Sequence, residues 1–237
     1  RTWAWPYVLF MVLFVLLPLI FVAVYAFTDK DGGFTLHNFA KFFSHSEAIS
    51  TFLYSLMIAV FNTLLCLLIG YPAAYIMAMA DFRTPKVMAM LFILPMWINF
   101  LLRTYSWMSI LENNGLLNQL FQKLGIIALY NSICGTNLEF FPMLNTQGAV
   151  VLGMVYNYLP FMILPIYSVI VKLDNSLIEA ARDLGANSFN VFRRVILPLS
   201  FPGILSGITM VFVPSVSTFA ISKMLGGGTE LLLGDLI

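Results

Sequence analysis

The 237-residue chain is 60% hydrophobic and only 10% charged, with a formal net charge of +1 and a mean hydropathy of +0.91. A water-soluble domain carries about 25% charged residues, so this chain cannot cover itself in water and part of its solvent is lipid. No basic tail or stripe of the kind nucleic-acid binding needs is present, and two cysteines are too few for a disulfide-built secreted scaffold.

In chain order, five stretches reach the roughly 20 apolar residues that a spanning helix requires. Residues 5–27 are uncharged between Arg1 and Asp29. This run is too long for a signal-peptide core and has no small-residue cleavage site after it, which predicts a retained membrane helix. A second span is predicted over 52–80, inside the uncharged run 48–80, and it contains Cys66. A third, over 87–110, carries a single charge, Arg103, expected to reach the outer headgroups and snorkel there. A fourth covers 147–171 and a fifth 199–222. A sixth apolar run starts at Leu231 but reaches Ile237 after seven residues, too few to cross. The expected fold is an all-α polytopic transmembrane helical bundle with five full spans plus the start of a sixth. Pro18, Pro72, Pro95, Pro160, Pro165, Pro202 and Pro214 lie in these spans as kinks or hinges. Cys134 lies in a polar stretch away from Cys66, so no disulfide is expected.

Lys and Arg in short loops orient such a bundle. One side holds Arg1, Arg83, Lys86, Lys172, Arg182, Arg193 and Arg194; the other holds Lys30, Lys41, Lys123, Lys223 and, near its edge, Arg103. The richer side is predicted to be cytoplasmic, with the N-terminus inside. Residues 28–51 and 111–146 then form longer outer loops.

The segment 172–198 joins the fourth and fifth spans. Ser176 and Glu179 have capping-box spacing, which predicts a short helix from Leu177. Gly185 ends it, and Asn187 or Ser188 starts a second short helix. The small residues Ala180 and Ala181 allow another surface to approach the helix closely. Such an elbow at a membrane face is a lever for a moving partner.

The string Glu179-Ala180-Ala181, then Gly185 after three residues, then Val195 and Leu197-Pro198 after nine more, resembles the signature loop of ABC importer permeases, where Ile is usual at the place of Val195. Gly70-Tyr71-Pro72-Ala73-Ala74, Arg103-Thr104-Tyr105-Ser106-Trp107, Asn114-Gly115-Leu116-Leu117-Asn118 and Tyr158-Leu159-Pro160-Phe161-Met162 look like the polyamine (spermidine/putrescine) branch of that family. The resemblance implies the type I ABC importer permease fold, with 1–237 as one transmembrane permease domain and 172–198 as its cytoplasmic coupling loop. It implies that Glu179, Ala180, Ala181 and Gly185 dock on an ATPase. It further implies a prokaryotic cell-membrane assembly of two paired permeases, two ATPase subunits and an extracytoplasmic solute-binding protein. ATP and Mg would belong to the ATPase, with no cofactor in this chain.

The chain itself has no phosphate-cradling Gly-x-x-x-x-Gly-Lys-Ser/Thr string. His37 and His45 are its only histidines, and no catalytic set or metal site is expected. A polycation would be held by aromatic faces and polar oxygens. Tyr105, Trp107, Tyr156, Asn157, Tyr158, Ser215, Ser217 and Phe219 are the candidate pathway residues, against a plainer role for Tyr and Trp as interface anchors. Alternatives are a permease for another small solute, an ion-coupled secondary carrier, disfavoured because no acid lies at a span centre, and a membrane enzyme.

Overall fold

The computed structural model describes residues 5–29, 32–79, 90, 93–228 and 232–235. The chain divides into two compact units, Arg1–Phe52 and Leu53–Ile237. Regular structure among the described residues is helical; an isolated antiparallel bridge joins Thr28 and Phe34.

In the first unit, α1 (Trp5–Phe27) carries the first predicted span. None of its residues is buried, so its apolar surface is turned away from its own unit, as on a helix solvated by lipid. Pro18 has no N–H for the carbonyl four residues back, and the helix absorbs the loss as a π turn over Val12–Leu16. The end of α1 is closed by α2 (His37–Ser44), which occupies part of the predicted outer loop. Asn38 Nδ2 donates to the carbonyls of Tyr25 and Ala26, both at 3.3 Å, and of Thr28 at 3.2 Å. These would otherwise be orphan acceptors.

Helix α3 (Ser46–Met79) begins in the first unit. The second unit holds the rest of α3, then α4 (Phe100–Leu111), α5 (Leu116–Lys123), α6 (Ile126–Cys134) and α7 (Gln147–Ile170). After these come α8 (Asn175–Asp183), α9 (Ser188–Leu199), α10 (Phe201–Val216) and α11 (Ala220–Leu225). Two apolar clusters sit at opposite ends of α7. One joins Ala149, Val150 and Met154 to Ile58, Leu111, Ile221 and Leu225. The other joins Ile163, Ile166 and Ile170 to Tyr71, Ala74, Met77, Ile178, Val191 and Ile196.

Helices α7 and α10 pack closely because α10 offers glycines to the contact. A Cβ on Gly203 would stand 3.0 Å from the Pro165 carbonyl oxygen, and one on Gly207 would stand 2.7 Å from Met162 Sδ. Association in lipid depends on such close approach, since apolar burial gives little preference for protein over acyl chain.

Helices α1, α3 and α7 are long and apolar enough to cross a membrane, and α9 with α10 makes a fourth if a pair bent by 61° is one span. The bend falls at Ser200, where Pro202 has no N–H for the Pro198 carbonyl; the Ser200 hydroxyl donates to Leu197 O at 2.9 Å. Part of the predicted third span, residues 87–89 and 91–92, lies outside the described residues. The described part is not one helix: α4 starts afresh at Phe100, where Asn99 Oδ1 accepts the Leu101 N–H at 2.8 Å. The fifth prediction, over 199–222, is also broken, because α10 ends at Val216 and α11 begins at Ala220. Of the predicted sixth run, Leu233–Asp235 forms a 3₁₀ turn. Asp235 Oδ2 there accepts from the Ser222 hydroxyl at 2.7 Å and the Leu232 N–H at 2.9 Å.

Candidate functional site

Residues 171–187 carry the chain from α7 to α9. Asp174 caps α8, its Oδ1 accepting the Ser176 N–H at 2.9 Å, and the helix starts at Asn175. This corrects the predicted start at Leu177 with Ser176 as cap. An ionised acceptor suits the N-terminal N–H groups and the positive end of the helix dipole, and Asp174 lies two residues before Ser176. The Ser176 N–H, and then its hydroxyl, hold the Asp174 carboxyl below its ordinary value. At the other end Gly185 takes φ +83°, and the Ala186 N–H reaches the Ala181 carbonyl at 3.0 Å. This is the left-handed exit that favours glycine. Asn187 then caps α9, accepting the Asn190 N–H at 2.8 Å.

Helix α8 has two faces. Ile178 is buried in the cluster of α3, α7 and α9, and Ala181 packs against it. Leu177, Ala180 and Leu184 follow at helical spacing along a stripe beside that buried face and are exposed, Leu184 to 89%, as are Glu179, Gly185 and Phe189. Of the four residues expected to couple, Glu179, Ala180 and Gly185 are therefore on the surface, while Ala181 is half-buried.

The candidate pathway residues separate into groups. Trp107 and Tyr156 meet edge to face with ring centroids 5.3 Å apart. Together they line an open apolar cavity of about 730 Å³ between α3, α4 and α7, with Met57, Phe61 and Val155 among the other walls. Tyr158 and Ser215 make α7–α10 and α3–α10 contacts, and Asn157 is buried on α7. Asn157 Nδ2 donates to Gly153 O at 2.8 Å, while its Oδ1 is buried without a partner among the described residues. The Tyr158 hydroxyl donates to Pro214 O at 3.4 Å. The Ser215 hydroxyl accepts from Asn62 Nδ2 at 2.8 Å and donates to Val211 O at 2.6 Å. Tyr105, Ser217 and Phe219 are exposed and do not line the cavity.

Arg103 does not snorkel. It is only 9% exposed, its Nε and Nη1 have no hydrogen-bond partner among the described residues, and it lines a smaller cavity beside Ser106, Trp107 and Tyr156. Counting from residue 87 puts it near the membrane surface. The break at Ile98–Asn99 restarts the helix, and the count with it.

Two polar contacts between helices were missed. Asn62 bridges to Ser215, and the Tyr71 hydroxyl shares a hydrogen bond with that of Ser200 at 2.9 Å, at the bend itself. Asn62 is the only side-chain amide within 52–80, and a lone amide in an apolar span is the signal that could have found it. The Gly70–Ala74 and Asn114–Asn118 strings have structural work of their own. Tyr71 and Ala74 pack in the core, and Asn118 ties Glu112 to Phe141 through Nδ2 at 3.2 and 3.0 Å and accepts the Phe141 N–H at 2.9 Å.

Residues 70–237 match the family described as binding-protein-dependent transport system inner membrane component. The chain is 40% identical over 235 residues to the spermidine/putrescine transport system permease protein PotB of Haemophilus influenzae, covering 96% of this chain and 78% of the relative. It is 37% identical over 233 residues to the protein of that name from Escherichia coli K12, covering 96% and 81%. A crystal structure of a bacterial ABC transporter that imports the acidic polysaccharide alginate contains a chain of the same fold, with TM-score 0.67 at 16% identity, over 95% of this chain and 72% of that one. The chain belongs to the family of inner membrane components of binding-protein-dependent transport systems.

Proposed function

We propose that the chain is one of two permease halves of a type I ABC importer for spermidine and putrescine, multi-pass with its N-terminus in the cytoplasm. It has five spans and a sixth beginning near Leu231, and its segment 172–198 meets a separate ATPase. The single observation that carries this is the two-faced α8. Ile178 and Ala181 root the helix in the bundle, while Leu177, Ala180 and Leu184 present an apolar stripe to the outside. An apolar stripe on a short polar-flanked helix is built to be covered by another protein. ATP, bound with Mg in the ATPase, closes that subunit and moves α8. The bundle then switches between inward-open and outward-open states, and each ligand acts only through its difference in affinity for the two.

The solute reading follows the names of the 37–40% identical relatives. It agrees with the aromatic Trp107–Tyr156 pair on the wall of the open cavity: π faces take an ammonium weakly enough to release it. High affinity would then reside in the binding protein outside. Proteoliposomes containing the whole transporter test this. ATP-dependent uptake of labelled spermidine or putrescine is expected, competed by neither sulfate nor thiamine. Uptake without ATP, or a cognate binding protein whose calorimetric heat appears only with an unrelated solute, would refute it.

A further inference from the structure

We propose that Arg103 is the seat for a carboxylate carried by a second membrane subunit, so that an ion pair near mid-membrane depth joins the two. This rests on the reading of the chain as one of two paired permeases. A buried arginine with two unpartnered nitrogens is not a finished structure, because each unmet donor keeps its desolvation cost. Among the described residues no acid meets it.

The depth of the site limits what can fill it. Helix α7 has 24 residues, about 36 Å at about 1.5 Å per residue, close to the roughly 30 Å of a bilayer's hydrocarbon core. Leu111, the last residue of α4, shares a cluster with Ala149 and Val150 near the start of α7. Trp107, one turn earlier, meets Tyr156, so α4 runs antiparallel to α7. Arg103, a further turn back, is level with the middle of α7. A lipid phosphate lies outside the hydrocarbon core, roughly 15 Å from its midplane. The proposed solute is itself a cation and is repelled. A side-chain carboxylate on a neighbouring span has both the charge and the freedom to be at this depth, and intramembrane charges pair in this way.

The cavity fits such a tip. Its volume is about 220 Å³, room for a carboxyl group and the end of its stem. Ile98, Leu102 and Ile110 keep its walls apolar, which strengthens an ion pair inside it. The planar guanidinium takes a carboxylate through two parallel N–H donors, a geometry lysine cannot copy.

The test uses the whole transporter in native membranes. Arg103→Lys introduces an amine within reach of the same carboxylate. Dicyclohexylcarbodiimide activates carboxyl groups at apolar positions; the amine then displaces dicyclohexylurea and an amide bond forms. The expected product is a covalent pair of this chain with the second permease, mapped by mass spectrometry from position 103 to an Asp or Glu in a span. In the same preparations Arg103→Met should lower the second permease co-purified per tagged chain by at least about tenfold, while Arg103→Lys keeps most of it. A link to a carboxylate of the same chain, a link to the binding protein, or no link where the two permeases stay associated overturns the proposal. If Arg103→Met fails to fold, the mapped link alone decides. If the unaltered chain purifies with no second permease, the paired-permease reading falls, and this proposal with it, before any reagent is added.

Discussion

Gly203→Ala is expected to destabilise the bundle by about 1 kcal/mol, and Gly207→Ala by less, although an added Cβ would have its shortest contact at Gly207. At Gly203 the added methyl meets backbone, 3.0 Å from Pro165 O and 3.1 Å from Ile166 Cα. Helix α7 cannot move those atoms locally, so the two helices must part by a few tenths of an ångström. Overpacking of this kind costs about 2 kcal/mol, and alanine's better helix propensity offsets about 1 kcal/mol of it. At Gly207 the nearest atom, 2.7 Å away, is Met162 Sδ, the mobile part of a flexible side chain, and the first backbone atom is Met162 O at 3.2 Å. A thioether adapts by rotation, so the propensity gain nearly cancels the cost. Cys66 is buried and Cys134 exposed, so in a Cys134→Ser background a thiol-reactive dye follows unfolding through Cys66 alone. The Gly203→Ala midpoint should fall by about 2–4 °C, with Gly207→Ala close to the parent. A larger drop for Gly207→Ala, or a rise for Gly203→Ala, would refute the view that backbone contact, rather than distance alone, sets the cost.

Leu184→Asp should leave that melting curve unchanged, because Leu184 is 89% exposed, yet abolish co-purification of the ATPase and ATP-driven uptake. Ile178→Ala leaves a cavity costing about 2–3 kcal/mol; ATPase binding should persist while uptake per ATP hydrolysed falls, and parallel loss of both would count against rigid coupling. The Asp174 carboxyl titrates below its ordinary value of 3.8. Its stabilisation of α8 is therefore present above that value and lost as pH falls through the depressed one. Hydrogen-exchange protection over 175–180 should be higher in the parent than in Asp174→Ala at pH 7, and the difference should vanish on acidification. Trp107→Ala should reduce polyamine uptake by about two- to thirtyfold, the span of one cation–π contact, with Trp107→Phe retaining most of it.

The spans α1, α3 and α7 were legible because their only signal, uninterrupted apolarity over at least 23 residues, is the one lipid imposes. The elbow was legible because Gly185 and Asn187 act locally, through φ and through a cap. Its first residue was not, since Asp174 and Ser176 are both good caps and only the finished turn after Ile170 chooses between them. The breaks at Asn99 and after Val216 were hidden for another reason. No charged residue falls at either, and what interrupts the helix is a side-chain cap at one and a turn at the other. The depth and isolation of Arg103 depend on where those breaks fall, so they could not be read by counting residues.

The elbow is fixed to the bundle more firmly than a projecting lever would be. Ile178, Val191 and Ile196 share one cluster with Tyr71, Ala74 and Met77 of α3, Ile166 and Ile170 of α7 and Ile204 of α10. Phe192 stands edge-on to Tyr71 and Tyr75, with centroids 5.8 and 5.3 Å away, and Tyr71 holds Ser200 at the 61° bend. Levering α8 away from this cluster would expose Ile178, at about 2 kcal/mol for that side chain alone, and would pull on the aromatic contacts beside it. Tilting α3, α7, α9 and α10 together keeps every one of these contacts and changes only surfaces that face lipid or a partner, where apolar area is exchanged for apolar area at little cost. Of the two responses to a push on Leu177 and Leu184, the collective one is lower in free energy. On the proposed coupling, a push on this short helix would therefore move the whole bundle rather than bend against it.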